Sequence, residues 1–288
     1  MRATHYISIA AAVVLIAVLY WGGNTVPPAK KPAADMQRPN SGGPVSGAPH
    51  ASAVPASFDT MLSSARALLP KPSADSIHSV ESEVLALKDS TKMAPMFDRI
   101  SKIWEHAGQY KFAAFYTAKA GKLESSEKKL TFAGQFYLQL MESESNPSVQ
   151  IWEAGEAVSC LEQSLKINPN NEETKLALGT AYIEGTGEPM KGVQLLLAIT
   201  REKPDDIPAN MVLGKMSIQS GQFEKAIGRF ETVLKQEPEN KEALYFLAQA
   251  YEGKGDKKKA IELLEKCKKA VNNPEFSKDI DQHINSLK

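Results

Sequence analysis

The chain has 288 residues, of which 42% are hydrophobic and 24% charged, an ordinary balance for a globular protein. Lys plus Arg and Asp plus Glu number 34 each, so no net charge attracts the chain to nucleic acid. Its two cysteines are too few for a disulfide framework or a cysteine-based zinc site.

The first predicted element is an apolar segment near the N-terminus. Residues 6–21, YISIAAAVVLIAVLYW, are apolar apart from Ser8. Extended to residue 3, the segment would form a helix of about 28 Å, close to the hydrocarbon thickness of a bilayer. Aromatic residues, which prefer the membrane interface, stand at both ends: Tyr6, Tyr20 and Trp21. The segment therefore predicts a single transmembrane helix.

The apolar segment has two interpretations. A cleaved secretory signal is one, because Arg2 supplies a positive n-region, but no A-x-A-like cleavage site follows the segment. An uncleaved signal-anchor behind a short tail, residues 1–5, fits better. A short N-terminal tail before a large exported domain then predicts an N-terminus on the inside of the membrane.

A linker and a first group of helices are expected next. Residues 22–57 are rich in Pro, Gly, Ala and Ser and lack apolar periodicity, so they predict a disordered tether. Folded structure is expected from Phe58, with N-terminal helices over 58–93. Ser73 is the predicted N-cap of a helix, and this helix carries its apolar residues on one face: Ile77, Val80, Val84 and Leu87.

An internal repeat of 34 or 35 residues is the strongest signal in the sequence. Several independent columns keep this spacing: Pro169, Pro204 and Pro238; Leu178, Leu213 and Leu247; Gly179, Gly214 and Ala248; Gly192, Ala226 and Ala260; Leu196, Phe230 and Leu264; Gly221 and Gly255. The small residues allow two helices to approach closely, and the large ones fill the space between neighbouring pairs. The glycines at 221 and 255 tolerate a turn with positive φ, and the prolines end the second helices. One extra residue, in YIEGTGEPMKG, is expected in a turn between helices.

These residues resemble the tetratricopeptide repeat (TPR) family, whose unit is a helix–turn–helix of 34 residues. The segments LGTAY at 178–182 and LAQAY at 247–251 match the first helix of that unit, and KAIGRF at 225–230 matches the second. The resemblance implies an all-α solenoid of helical hairpins, wound as a right-handed superhelix. The repeats are expected over 94–276, with the clearest over 172–274.

Less regular repeats flank the clear ones. One is expected to pair residues 130–141 with residues 155–165 across a long loop, and a weaker one spans about 94–127. After Pro274, Ile280, Ile284 and Leu287 share one face, which predicts a capping helix over 277–288.

The sequence offers no residue set for catalysis, a cofactor or a metal. The five histidines are scattered and lack metal-ligand spacing. Cys160 and Cys267 fall on second helices three repeats apart, too far for a disulfide, and are expected to pack in the core. The protein is therefore expected not to be an enzyme.

A binding groove is the remaining candidate site. In the family, first helices line the concave side of the solenoid, and the side chains expected to point into it are Leu176, Thr180, Met211, Lys215, Tyr245 and Gln249. Met211 and Tyr245 are the candidate anchors for a peptide. The alternative is that some of these side chains pack against the capping segments.

The expected function follows from the groove and the anchor. The chain resembles membrane-anchored bacterial TPR proteins, some of which assist cytochrome or outer-membrane assembly. That resemblance implies a scaffold that binds a protein or peptide, anchored in the inner membrane with its repeats in the periplasm. The alternatives are a periplasmic chaperone-like binder of unfolded clients and a regulatory subunit of a partner enzyme.

Overall fold

The computed structural model describes residues 54–87 and 89–288, all within one compact unit. The predicted tail, the membrane segment 6–21 and the linker up to residue 53 lie outside the described residues, so these stay predictions. Within the described ranges, no helix is both long and apolar enough to cross a bilayer.

The described residues form helices joined by short connections and contain no strand. The α-helices are α1 (Phe58–Ala67), α2 (Lys71–Ala86), α3 (Ser90–His106), α4 (Tyr110–Glu124), α5 (Glu127–Ser143), α6 (Pro147–Ile167), α7 (Glu172–Thr180), α8 (Pro189–Glu202), α9 (Ile207–Gln219), α10 (Phe223–Gln236), α11 (Lys241–Lys254), α12 (Lys257–Val271) and α13 (Pro274–Leu287). A π-helical turn, Ala181–Gly185, follows α7 directly.

Consecutive helices pack as hairpins, and the hairpins stack in chain order. The hairpins are α3–α4, α5–α6, α7–α8, α9–α10 and α11–α12, and α13 packs on α12. The buried apolar side chains of this region form clusters that also follow one another along the chain, as expected when each hairpin buries its apolar face against its neighbours. The predicted all-α hairpin solenoid is confirmed.

The turns inside three hairpins share one hydrogen-bond pattern. Gly108, Gly221 and Gly255 have φ of 69°, 70° and 91°. After Gly221, the N–H of Gln222 donates to the carbonyl of Ser217 at 2.8 Å, and the turns at Gly108 and Gly255 repeat this bond at 2.9 Å. Such a bond closes the exposed C-terminus of the first helix and requires a left-handed residue at the turn, which glycine adopts without steric cost.

The helix packing depends on the predicted small residues. A Cβ added to Gly179 would lie 2.7 Å from Leu196 Cδ2, and one on Gly214 would lie 2.6 Å from Phe230 Cζ. Leu196 and Phe230 are themselves fully buried. The first helix of each of these hairpins therefore contacts the second at a distance that only glycine permits.

The connections that lead into the clear repeats carry a proline and an N-cap residue at constant positions. The second helices α6, α8 and α10 end two residues before Pro169, Pro204 and Pro238, as predicted. An N-cap that sequence reasoning did not identify follows each proline by two residues: Asn171, Asp206 and Asn240 accept the backbone N–H of Thr174, Ala209 and Ala243 at 2.8–3.0 Å. These caps satisfy N–H groups that a helix start otherwise leaves unpaired.

Three local predictions were wrong. Ser73 does not cap a helix, because α2 begins at Lys71 with a proline in its first turn, and the Ser73 N–H donates to the Pro70 carbonyl at 2.9 Å. No long loop separates residues 130–141 from the following helix. Instead α6 begins at Pro147, where a proline at the first position lacks only an N–H that the helix leaves unpaired in any case.

The third error concerns the extra residue of the α7–α8 hairpin. It does not lengthen the turn but is absorbed in the π-helical turn Ala181–Gly185. There Gly185 approaches the preceding hairpin so closely that a Cβ would lie 2.4 Å from Ala154 Cβ and 2.9 Å from Met141 Sδ. A one-residue insertion inside a helix is the usual content of a π-helical turn.

Candidate functional site

The six predicted groove residues occupy equivalent positions on three successive first helices. They form the pairs Leu176 and Thr180 on α7, Met211 and Lys215 on α9, and Tyr245 and Gln249 on α11. Residues four apart on a helix are neighbours on its surface, so each helix presents one pair. We call this set the first-helix face.

The apolar members of the first-helix face are largely used in packing. Met211 is 7% exposed and belongs to the cluster around Phe230. Leu176 packs against the cluster that contains Leu196, and Tyr245 is half-buried with its ring 5.7 Å from that of Phe246. Of the two candidate anchors, only Tyr245 therefore offers an appreciable surface to a ligand.

Lys215 is the charged centre of the first-helix face. Its Nζ lies 3.3 Å from Glu242 Oε1 on α11 and 3.8 Å from Glu184 Oε1 on the π-helical turn. It also lies 5.7 Å from the centroid of the Phe246 ring. These contacts join three successive first-helix segments, so the structure brings their exposed sides together around one cation.

The carboxylates around Lys215 compete for it. Burial raises the pKa of Glu184, the nearby Glu142 and Glu242 carboxylates raise it further, and only Lys215 lowers it. The first-helix face is therefore mixed in character, with half-buried polar side chains at Thr180 and Gln249 and a shared cation between acids.

A second candidate site lies on another side of α9. A partly open pocket of about 550 Å³ is bounded by α8, α9 and α10. Its apolar lining includes Met190, Val193, Leu197, Leu213 and Met216, and its polar lining includes Asn210, Ser217, Lys225 and Arg229. We call it the α8–α10 pocket; sequence reasoning did not identify it.

Arg229 is the notable cation of the α8–α10 pocket. Its Nη1 donates to Asn210 Oδ1 at 2.9 Å, and the Asn210 Nδ2 is fixed in turn by the carbonyls of Pro204 and Asp206 at 2.9 and 2.8 Å. Burial lowers the pKa of Arg229. No carboxylate among residues 54–87 and 89–288 forms an ion pair with it, so the guanidinium keeps donors for a ligand.

The two cysteines of the described chain are packed in its core. Cys160 and Cys267 are free and buried, as predicted for core thiols, and burial raises the pKa of Cys160 to about 12. Within the described part of the chain, no group of three or more His, Cys, Asp or Glu side chains is placed to hold a metal ion. Both candidate sites can therefore bind but lack an evident reactive group.

Comparisons with known proteins agree with this architecture. Residues 217–278 match the sequence profile of the tetratricopeptide repeat. A crystal structure of MamA protein aligns with a TM-score of 0.50 and 19% identity, covering 65% of this chain and 94% of that one. MamA from residue 41 onward, from Desulfovibrio magneticus RS-1, aligns with a TM-score of 0.50 and 21% identity, covering 65% and 98%.

A third match is less close. YrrB, described as a TPR protein with an unusual peptide-binding site, aligns with a TM-score of 0.47 and 19% identity, covering 66% of this chain and 92% of that one. No curated protein sequence matches the chain significantly. At these identities the MamA similarity shows the fold alone: the described chain is a TPR-type solenoid, and its C-terminal hairpins carry the repeat sequence.

Proposed function

We propose that the protein is a non-enzymatic adaptor that binds a protein or peptide on its first-helix face. The observation that carries this proposal is the alignment of three first helices around Lys215, which contacts carboxylates on both sides. Stacked helices with half-buried polar side chains provide an extended surface with little entropy to lose, because the scaffold is already ordered. Such a surface suits a peptide or helix of a partner protein.

The proposed setting of this adaptor is the bacterial envelope. Residues 6–21 would anchor it in the inner membrane, and the linker after them would let the repeats reach partners in the periplasm. The support is the apolar segment with aromatic residues at its ends. Protease treatment of spheroplasts tests the sidedness: degradation of the repeats from outside is expected, and protection until lysis would contradict it.

Quantitative co-purification of the detergent-solubilised full chain tests the binding proposal. Wild type should retain one or a few stoichiometric partners. The double variant Thr180→Arg/Gln249→Arg should lose them, because two bulky cations would cover the first-helix face. Lys235→Glu, an exposed substitution on the second helix α10, is the matched control and should retain them.

Two outcomes would refute the adaptor proposal. Equal recovery of the partners by the double variant and the control would remove the first-helix face as the binding surface. Recovery of many proteins in small amounts, none stoichiometric, would instead indicate a general binder of unfolded clients. Circular dichroism of all three proteins confirms that each is folded.

A further inference from the structure

The three clear hairpins differ at one position that borders the α8–α10 pocket. Tyr182 on the π-helical turn and Tyr251 on α11 are equivalent in the repeat, and both are 7% exposed. Each hydroxyl donates to a glutamate twenty residues earlier, Glu162 and Glu231 respectively. The equivalent position in the α9–α10 hairpin holds Ser217, whose hydroxyl donates only to the Leu213 carbonyl at 2.7 Å.

The glutamate that accepts the tyrosine hydroxyl is also replaced in the α9–α10 hairpin. The position of Glu162 and Glu231 is taken by Leu197, which lines the α8–α10 pocket. This hairpin therefore lacks both the aromatic ring and the acceptor of its hydroxyl. The pocket lies where the neighbouring hairpins are filled by a tyrosine, and its wall has become apolar.

The lysine that accompanies the tyrosine is nevertheless present. Lys191 Nζ lies 5.3 Å from the centroid of the Tyr182 ring, and Lys259 Nζ lies 4.8 Å from that of Tyr251. Lys225 holds the same repeat position in the middle hairpin and lines the pocket. A lysine over an aromatic face is attracted by the ring quadrupole, and Lys225 lacks that ring.

A second cation has been added to the middle hairpin. Arg229 stands where the neighbouring hairpins have Leu195 and Leu263, one helical turn from Lys225 on α10. The nearby carboxylate of the lining, Glu224, is engaged by Lys254 at 2.8 Å. The pocket thus combines an apolar wall with two cations that no lining acid neutralises, and a planar guanidinium is well suited to bind a carboxylate.

From this juxtaposition we propose that the α8–α10 pocket binds a peptide segment in which an aromatic residue adjoins an aspartate or glutamate. The aromatic ring takes the place that Tyr182 and Tyr251 fill in the neighbouring hairpins, beneath Lys225. The acidic side chain pairs with Arg229, which Asn210 holds in position. The volume of about 550 Å³ lies within the range of ligand pockets, and the pocket is partly open to solvent, which a segment of a longer peptide requires.

This second binding site is independent of the proposed function, because it uses a different side of α9 from Met211 and Lys215. Binding at the pocket can fail while the first-helix face still recruits its partner, and the reverse also holds.

Fluorescence polarisation with the purified full chain tests the proposal. The probe is a fluorescein-labelled, C-terminally amidated peptide, Gly-Ser-Glu-Phe-Ser-Gly. Wild type should bind it, and binding should weaken at least tenfold when the peptide's Glu is replaced by Gln or its Phe by Ala. Equal affinity for the Gln peptide would overturn the role of Arg229, and equal affinity for the Ala peptide would overturn the aromatic site.

Two variants introduce the residues that the neighbouring hairpins have at these positions, and they test the pocket directly. Ser217→Tyr should fill the pocket and Arg229→Leu should remove its cation, and each should lower affinity at least tenfold with no loss of helical content. Lys269→Gln, an exposed substitution on α12 away from both candidate sites, is the control and should leave affinity unchanged.

Three further outcomes would overturn the peptide site. Unchanged affinity in Ser217→Tyr, or no binding by wild type at millimolar protein, would overturn the proposal. If analytical ultracentrifugation showed a wild-type dimer that Ser217→Tyr dissociates, the pocket would be assigned to a second copy of the chain and the peptide site rejected.

Discussion

The close contact between Gly214 and Phe230 yields a prediction with a defined sign. In the substitution Gly214→Ala, the new Cβ would lie 2.6–3.0 Å from three carbons of the Phe230 ring. The ring is fully buried, so it cannot move aside without displacing its neighbours. Overpacking of this kind costs about 1–3 kcal/mol, whereas alanine is favoured over glycine in a helix interior by about 1 kcal/mol.

Gly155→Ala is the matched control for this substitution. Gly155 lies inside α6, and a Cβ there would meet no atom within 4 Å. The control should therefore gain up to about 1 kcal/mol from helix propensity alone. Gly214→Ala should be less stable than the control by about 1–3 kcal/mol, the whole cost of the clash.

Urea denaturation followed by far-UV circular dichroism measures this difference. The midpoint of Gly214→Ala should fall below that of the control, with the helical signal of the folded state unchanged. An equal gain in stability in both variants would refute the argument. It would show that the first and second helices of the hairpin do not approach closely enough to exclude a Cβ.

Three further predictions concern other parts of the solenoid. Burial raises the pKa of Glu153 to about 7, so the folded chain keeps a proton that the unfolded chain releases near pH 4.5. Stability should therefore fall as pH rises from about 4.5 to 7, by up to about 3 kcal/mol, and Glu153→Gln should remove this part of the slope in urea titrations; an unchanged slope would contradict it. Asn240→Ala should cost about 1 kcal/mol, because the N–H of Ala243 loses its acceptor, and a midpoint equal to wild type in the same assay would contradict the cap. Cys160 should react with a thiol reagent only after unfolding, because its folded-state pKa is about 12 and its side chain is buried; labelling of the native chain followed by mass spectrometry checks this, and rapid native modification would oppose it.

The fold was predictable from the sequence because its main determinants recur at one spacing. Gly221 and Gly255 fix the turns and the prolines end the second helices, and both effects act within a few residues of the chain. The N-cap column of Asn171, Asp206 and Asn240 has the same spacing and could have been found in the same way. It also acts locally, through one side-chain oxygen.

Two errors, at Ser73 and before Pro147, arose from local proline positions, and the third arose where tertiary contacts decide. The extra residue near Gly185 enters a π-helical turn because Ala154 and Met141 of the preceding hairpin lie against it, and nothing in its own segment specifies that. The burial of Met211 likewise depends on its neighbours: periodicity assigned it to the first-helix face but could not give the depth at which α10 and α11 enclose it.

The α8–α10 pocket could be predicted from the sequence only in part. Its signal, Ser217 between Tyr182 and Tyr251, is present in the sequence as an exception to a column. An exception of this kind shows that a ring is missing, but the structure was needed to show that the space stays open. The added contact between Arg229 and Asn210 likewise depends on how α9 and α10 pack.

Site-specific photo-crosslinking in native membranes tests the central claim, that the first-helix face recruits a protein partner, most directly. A benzophenone amino acid would replace Gln249 on the first-helix face in one sample and the exposed Lys269 on the second helix α12 in another. We expect a discrete adduct with a second protein from position 249 and none from position 269. Adducts from position 269 alone, or the same adducts from both positions, would contradict the claim.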